Sequence, residues 1–375
     1  MNIQNKNRIY KFDNIKLLTI ILVVVGHVIE PYIGKSELFK SLFIFIYSFH
    51  MPLFIFISGL FQNRFNDYNK LKINKIAFYV TLGFLLKIMH ALTKVARGMD
   101  FTFSFFGGSS IDWYLFVLSM FMVTAYLTRK VHPAIVLSVS FVLGCFSGYV
   151  DIFNDTLWLS RYFVFMPIYF SGYYMTPQLL IKIEKHFVTK LISGASMLLY
   201  FVLCFRNLDL VYKLRMLFTG KNSFATVSKY FIEDCSVEHR LLCYGISALL
   251  CMAVFCYIPN IKVPILSKMG ANTLSVYFWH VPVLNLIKLT PFFTMVFSLG
   301  DPMYKIILLT FAVIITLVLS LNVFMFPLKA LSKLLDKLKP CWCYVVIAAP
   351  FVAGAVLHYN EITDKISQLY YRITK

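Results

Sequence analysis

Length, composition and charge together describe a membrane protein and exclude most soluble classes. The chain has 375 residues, of which 59% are hydrophobic, and its mean hydropathy is +0.73. Soluble domains contain about 45–50% apolar residues, and here the excess lies in long blocks. A net charge of +19 taken alone would indicate a nucleic-acid partner, but Lys and Arg occur singly at the ends of apolar blocks. Such side chains normally reach the headgroup region, so we expect membrane lipids, and not nucleic acid, as partners.

Apolar blocks of transmembrane length recur along the whole chain. Because a helix needs about 20 apolar residues to cross a bilayer, the sequence predicts an all-α, polytopic integral membrane helical bundle of about 10–11 transmembrane helices. The blocks lie near 15–33, 40–62, 75–92, 112–128, 132–149, 160–176, 188–205, 240–258, 271–289 and 304–328. The segment 341–357 is a possible eleventh span, although it follows a basic stretch and contains Pro350. These spans use nearly all residues, so we expect one membrane-integrated domain over 1–375.

The first block is expected to remain in the mature protein. It is interrupted by His27 and Glu30, and no small-x-small cleavage site follows it. Basic residues recur in every short loop on the side of the N-terminus, which favours a cytoplasmic N-terminus. The abundance of Ile, Lys, Asn and Phe is typical of a bacterium, so we expect the bacterial cytoplasmic (inner) membrane. On that topology the segment 206–239 is an extracytoplasmic loop, which acts as a lid, an acceptor-binding segment or only a tether.

The first predicted span carries ionisable residues at helical spacing. At about 100° per residue, one stripe of this helix carries Asp13, Lys16, His27 and Glu30. A rise of about 1.5 Å per residue puts His27 roughly 16 Å from Lys16, near the middle of the membrane. Ionisable groups inside a bilayer are costly and usually functional. The sequence therefore predicts a polar intramembrane site along this stripe, facing away from lipid.

Two further histidines are predicted to lie at a similar depth. His50 and His280 are each followed two residues later by a proline, Pro52 and Pro282, which frees backbone carbonyl groups and can kink a helix. A single intramembrane histidine is as often a hydrogen-bonded packing residue as a catalyst, but three at one level favour a site. No metal site is predicted, because the histidines lack paired ligand spacing. These patterns suit a transporter as well as an enzyme.

Motifs near the N-terminus resemble those of the membrane acyltransferase 3 family. Phe12-Asp-Asn-Ile-Lys16, followed by Val25-Gly-His27, is similar to the family's basic residue, ten intervening positions and histidine. The segment 49–59, which reads FHMPLFIFISG, is similar to the family's HxPLFFxxSG text. Lys72 and Lys75 stand at the spacing of the family's Arg-x-x-Arg pair. At these positions and at position 16, lysine takes the place of the arginine found in many members.

Later motifs follow in the family's order. Trp113-Tyr-Leu115 resembles the WFL opening of the fourth span, and Leu274-Ser-Val-Tyr-Phe-Trp-His280 resembles SYxxYLxH. Arg161, with Phe165-Met-Pro167 and Ser171-Gly-Tyr173, resembles the R…FxPFFxxGY segment. The resemblance covers about 8–330, and Glu30-Pro-Tyr32 is similar to the fucose 4-O-acetylase-related branch.

This resemblance implies O-acylation, usually O-acetylation, of a carbohydrate at the membrane. The implied donor is cytoplasmic acetyl-CoA, with no permanently bound cofactor. The implied acceptor is a sugar of a surface polysaccharide, lipid-linked glycan or glycolipid. His27 is the expected base or acyl-carrying nucleophile, and Glu30 is expected to orient the hydroxyl or tune the imidazole. Lys16, Lys72 and Lys75 are expected to hold the CoA phosphates.

Motif and depth suggest six further residues on the substrate side of the site: Asp13, His50, Ser58, Trp113, Arg161 and His280. Packing is the alternative explanation for several of them, and membrane topology is the alternative for Lys72 and Lys75. The competing hypothesis for the whole protein is a transporter or flippase for a sugar or lipid-linked oligosaccharide, although no inverted repeat is visible. Direct transfer and transfer through an acyl-histidine are both compatible with these residues.

Overall fold

The protein is predominantly helical over the residues that its computed structural model describes, which are 9–65, 70–101, 103–108, 111–154 and 156–357. Its N-terminal half contains α1 (Tyr10–Ile29), α2 (Glu37–Tyr47), α3 (His50–Phe65), α4 (Ile73–Ala96), α5 (Trp113–Leu127), α6 (Pro133–Phe146), α7 (Leu159–Tyr174), α8 (Pro177–Lys185) and α9 (Phe187–Arg206). Its C-terminal half contains α10 (Leu208–Lys213), α11 (Arg215–Phe218), α12 (Phe224–Tyr230), α13 (Val237–Tyr257), α14 (Pro264–Ala271), α15 (Thr273–Ile287), α16 (Phe292–Ser298), α17 (Met303–Leu319), α18 (Asn322–Asp336) and α19 (Pro340–Leu357). No strand occurs in these described ranges, and the predicted all-α class is confirmed.

Several of these helices are long and apolar enough to cross a membrane. Within the described ranges, six stretches meet this condition: Tyr10–Tyr32, Glu37–Gln62, Ile73–Ala96, Phe187–Arg206, Val237–Tyr257 and Pro340–Leu357. Two bent pairs, α15 with α16 at 73° and α17 with α18 at 48°, raise the number to eight if each pair is one span. A polytopic membrane bundle is therefore confirmed. The count of about 10–11 spans stays a prediction, because blocks such as Trp113–Leu127 and Pro133–Tyr149 form shorter helices.

Helix α1 lies at the centre of the bundle. It packs against α2, α3, α14, α15 and α17. Its apolar side chains are covered on several sides, and Ile15, Val24 and Ile29 are fully buried. A helix that is apolar around most of its circumference is expected in such a position. The polar stripe of α1 therefore faces neighbouring helices, whereas α9 and α19 are mostly exposed and lie at the periphery.

Helices α3 and α7 approach so closely that glycine is needed on both. A Cβ added to Gly172 would lie 2.0 Å from the carbonyl oxygen of Phe56, and one added to Gly59 would lie 2.2 Å from that of Tyr169. Small residues permit this kind of approach between membrane helices. Both glycines lie in the family-like motifs of their helices, so close helix packing explains why glycine stands at these two motif positions.

Gly172→Ala is expected to lower the melting temperature of the purified protein in detergent by a few degrees. The new methyl group would meet backbone, which cannot rotate away, and overpacking of this kind costs about 1–3 kcal/mol. Gly245→Ala in α13 is the matched control, because a Cβ there meets nothing within 4 Å and alanine favours a helix. Equal melting temperatures for the two variants would contradict the close approach of α3 and α7.

The segment 206–239, predicted as a loop, contains the short helices α10, α11 and α12. Several of its apolar side chains turn inward, and Val211, Phe218 and Val227 are buried. At its C-terminal border the buried Arg240 donates from Nη1 to the carbonyl oxygen of Leu217 at 2.6 Å, which ties α11 to α13. The segment is therefore a packed part of the bundle. The side of the membrane on which it lies stays a prediction.

Candidate active site

One face of α1 carries ionisable side chains at both ends of the helix. Lys16 and His27 both lie on this face, and each lines a different cavity. Apolar residues between them on the same face contribute to the lining. Each of the two has a carboxylate neighbour three residues away. Lys16 Nζ is 2.9 Å from Asp13 Oδ1, and His27 Nδ1 is 3.5 Å from Glu30 Oε2. The stripe expected from helical spacing is thus present as one continuous face.

The larger of the two cavities, which we call the main cavity, has a volume of about 510 Å³ and is lined by His27 and Glu30. The rest of its polar lining includes residues that sequence reasoning missed: Lys87, His90, Lys94, Arg97, Asn285 and Lys288. The first four follow one another on α4 at intervals of three, four and three residues, which places them on one helical face. The sequence alone could therefore have indicated a polar face on α4. Asn285 and Lys288, near the end of α15, are also three residues apart, but two positions alone do not define a polar stripe.

His280 on α15 lies beside His27, with their ring centroids 5.2 Å apart. The His280 side chain is fully buried, and its Nδ1 lies 3.0 Å from the carbonyl oxygen of Val276 and 2.9 Å from that of Tyr277. Because carbonyl oxygens only accept, Nδ1 is assigned the hydrogen and Nε2 keeps a lone pair. Among the described residues, Nε2 has no hydrogen-bond partner. Two of the three predicted histidines, His27 and His280, therefore lie next to each other in the bundle.

Glu30 connects His27 to the segment 206–239. While Oε2 faces His27, Oε1 lies 3.5 Å from Arg215 Nη2. Arg215 belongs to α11, and its Nη1 donates to the hydroxyl of Tyr212 at 2.9 Å. The carboxylate is thus held between an imidazole and a guanidinium. Arg215 was not predicted as a site residue, because nothing in its local spacing relates it to position 30.

The second cavity, with a volume of about 230 Å³, lies at the Lys16 end of α1. It brings together three predicted residues from three helices, Lys16, Ser58 and Lys75. The Ser58 hydroxyl donates to the carbonyl oxygen of Phe54 at 2.8 Å and lies 2.7 Å from the Tyr114 hydroxyl. Since serine has one O–H donor, Tyr114 is the donor of this second bond. Ser58 is thereby fixed in orientation at the cavity wall.

Tyrosine side chains separate the two cavities. Tyr277 lines the second cavity and donates its hydroxyl to the carbonyl oxygen of Ile111, which lines the main cavity. The centroid of the Tyr277 ring is 5.2 Å from that of Tyr114 and 6.1 Å from that of His280. The Tyr277 and Tyr114 rings, which we call the aromatic layer, therefore lie on the side of the second cavity that is next to the main cavity.

Several predicted residues lie outside the linings of both cavities. His50 Nδ1 is 2.8 Å from the carbonyl oxygen of Ile46. The Arg161 guanidinium lies 4.7 Å from the centre of the Trp113 ring, and Lys72 is the N-cap of α4. Their substrate and CoA roles stay predictions, while the contacts of His50, Arg161 and Trp113 also give these residues a place in helix packing.

The fold and this site define a class of protein, a polytopic membrane protein with a histidine–carboxylate pair inside the bundle. A neutral imidazole next to a carboxylate can accept a proton from a hydroxyl group. Within the described part of the chain, no group of three or more His, Cys, Asp or Glu side chains is placed to hold a metal ion.

Comparison with known proteins gives the family. The acyltransferase 3 model, described as an acyltransferase domain, matches residues 9–321. The chain belongs to this family and is a membrane acyltransferase, of a type that typically acetylates carbohydrates. No curated protein and no solved structure matches the chain significantly. The predicted family is confirmed, and so is the predicted class of enzyme.

Proposed function

We propose that the protein is an O-acetyltransferase that moves an acetyl group from cytoplasmic acetyl-CoA to a sugar hydroxyl. The acceptor belongs to a surface polysaccharide, lipid-linked glycan or glycolipid, in keeping with the fucose 4-O-acetylase-related branch. The observation that carries the proposal is the His27–Glu30 pair, with 3.5 Å between Nδ1 and Oε2, in the main cavity. The same helix face ends at Lys16 in the second cavity, so donor and acceptor can approach from opposite ends.

In this proposal His27 is the general base. Glu30 accepts the Nδ1–H, which leaves Nε2 to take the proton of the sugar hydroxyl. As the O–H bond breaks, the hydroxyl oxygen bonds to the thioester carbonyl carbon. The C–S bond then breaks, and the imidazolium returns its proton to the CoA thiolate. An acyl-histidine route would use the same residues, and it is distinguished by isolating acetylated protein in the absence of acceptor.

The proposed donor site is the second cavity. Lys16 and Lys75 line it, and ammonium groups at its mouth suit the phosphates of CoA. Lys72 lies one helical turn from Lys75 at the start of α4. The thioester then has to pass the aromatic layer to reach His27, so the proposal requires the Tyr277 ring to move when the donor binds.

We place the reaction in the bacterial cytoplasmic membrane with the N-terminus inside. The Lys16 end of α1 then faces the cytoplasm, where acetyl-CoA is made. The main cavity faces the other side, next to the segment 206–239. The contact of Arg215 with Glu30 supports a role for that segment beside the acceptor, and makes the tether hypothesis less attractive.

Purified protein reconstituted in liposomes tests this proposal against a transporter. Radiolabelled acetyl-CoA is supplied on the side of the N-terminus and a panel of candidate glycans on the other side. We expect protein-dependent label on a glycan, and none when acetyl-CoA is supplied only on the glycan side. Movement of unlabelled glycan across the membrane, with no acetyl transfer to any member of the panel, would contradict the proposal and favour a transporter or flippase.

A further inference from the structure

We propose that the acceptor carries an anionic group, a carboxylate or a phosphate, which Lys94, Arg97 and Lys288 hold in the main cavity. This inference rests on the proposed function and adds the chemical class of its acceptor. It starts from the charge of the lining. Among the described residues that line the main cavity, four are Lys or Arg and one, Glu30, is an acid. The fourth basic residue is Lys87.

The positive charge of Lys87 is already paired with neighbouring groups. Its Nζ donates to the carbonyl oxygens of Ser104 and Gly107, and it lies 3.8 Å from Asp112 Oδ2. Lys87 therefore holds the segment that follows α4 against the bundle. The two carboxylate oxygens of Glu30 also have partners, since Oε2 faces His27 and Oε1 faces Arg215. Glu30 interacts favourably with Lys288 as well, but it supplies one negative charge against the three remaining positive charges.

Arg97 lies close enough to Lys288 for their charges to repel each other, and Lys94 lies one helical turn before Arg97 in the sequence. Lys94, Arg97 and Lys288 all interact electrostatically with His90, and Arg97 interacts with Lys288. Arg97 is exposed, whereas Lys94 and Lys288 are half-buried, so water screens the two lysine charges only in part. Like charges in a partly desolvated site raise the free energy of the folded state. An anion bound between them turns this repulsion into attraction.

The side chain of Asn285 holds part of this cluster in place. It is 4% exposed, and its Oδ1 accepts from Arg97 Nη1 at 3.4 Å. Its Nδ2 lies 3.2 Å from Thr93 Oγ1 and 3.4 Å from His90 Nδ1. A guanidinium anchored through one nitrogen still presents N–H groups in the planar geometry that suits the two oxygens of a carboxylate or phosphate. The cavity thus contains a partly preorganised anion-binding group.

Membrane topology does not explain these cations. On the proposed orientation they lie on the extracytoplasmic side, where the positive-inside rule predicts fewer Lys and Arg residues. They also line a cavity, whereas lysines that contact lipid headgroups extend outward from a helix bundle. A ligand inside the cavity is the explanation that fits both observations.

Binding to the full-length protein in detergent tests the inference without requiring catalysis. The probes are a glucuronate-containing trisaccharide, its carboxyl-reduced neutral counterpart and the same neutral trisaccharide bearing a phosphate, measured by isothermal titration calorimetry. We expect at least one anionic probe to bind about tenfold more tightly than the neutral one, because charge-assisted hydrogen bonds are the stronger ones. The two anionic probes distinguish a carboxylate from a phosphate source.

Arg97→Gln and Lys288→Gln are each expected to weaken binding of the anionic probe about tenfold. Binding of the neutral probe and of acetyl-CoA should stay unchanged. The melting temperature should not fall, because each substitution removes one of the charges that repel each other. Lys213→Gln, which removes an exposed lysine on α10 outside the cavity lining, is the matched control and should keep the preference for the anion.

Equal binding of anionic and neutral probes, or a preference that survives both substitutions, would overturn the inference. Loss of acetyl-CoA affinity in both variants would overturn it as well, because the cations would then serve the phosphates of the donor. A different outcome would contradict the proposed function. An anion preference that is lost on substitution, without acetyl transfer to any acceptor, would support the anion site and contradict the transferase.

Discussion

His27→Gln is expected to lower the turnover number for acetyl transfer by about 10²–10⁴-fold, the usual contribution of a general acid–base group. Glutamine keeps a polar side chain of similar size but cannot take a proton from the acceptor hydroxyl. The KM for acetyl-CoA is expected to change little, because Lys16 and Lys75 line the other cavity. Initial rates with radiolabelled acetyl-CoA measure both quantities.

The matched control for this substitution is His186→Gln, which changes an exposed histidine at the start of α9. Its turnover number should equal that of the unmodified protein. Retention of more than about one tenth of the rate by His27→Gln would contradict a catalytic role, and the interpretation of His27 as a packing residue would then be preferred.

Glu30→Gln is expected to lower the turnover number by about 10–100-fold, the scale of a lost charge-assisted hydrogen bond. The amide oxygen can still accept the Nδ1–H of His27, which keeps the ring oriented, but it cannot stabilise the imidazolium formed during transfer. Glu30→Ala removes the acceptor as well and should be slower still. The order of rates therefore separates the charge of Glu30 from its hydrogen bond.

The alternative role of Glu30, orientation of the incoming hydroxyl, makes a different prediction. In that case the KM for the acceptor rises while the turnover number at saturating acceptor stays close to that of the unmodified protein. Equal turnover in the unmodified protein and both variants would contradict the role of Glu30 in tuning the imidazole. Kinetics measured at several acceptor concentrations decide between these outcomes.

The stripe on α1 illustrates what local periodicity can predict. Lys16, His27 and Glu30 recur at intervals that return to one helical face, and hydropathy alone placed that helix in the membrane. The same reasoning applied to α4 would have indicated Lys87, His90, Lys94 and Arg97, whose spacing is equally regular. These four side chains stand in a block that is otherwise apolar, so its hydropathy hides the polar face while its periodicity shows it.

Contacts between distant parts of the chain had no comparable signal. His50 and His280 have the same predicted depth and similar neighbouring prolines, yet only His280 lies next to His27, at 5.2 Å between ring centroids. The choice between them depends on how each helix is rotated. Arg215 likewise reaches Glu30 from a segment whose sequence predicts only a loop.

Sequence alone was enough to predict the membrane class, the all-helical fold, the acyltransferase family and the polar face of α1, because hydropathy, periodicity and motifs can be recognised without the tertiary structure. The tertiary structure decided which faces meet: the paired histidines, the Glu30–Arg215 contact and the basic wall of the main cavity. In a bilayer there is little hydrophobic drive between helices, so rotation and neighbours are set by close packing at residues such as Gly59 and Gly172. Such packing is a property of helix pairs and cannot be read from either helix alone.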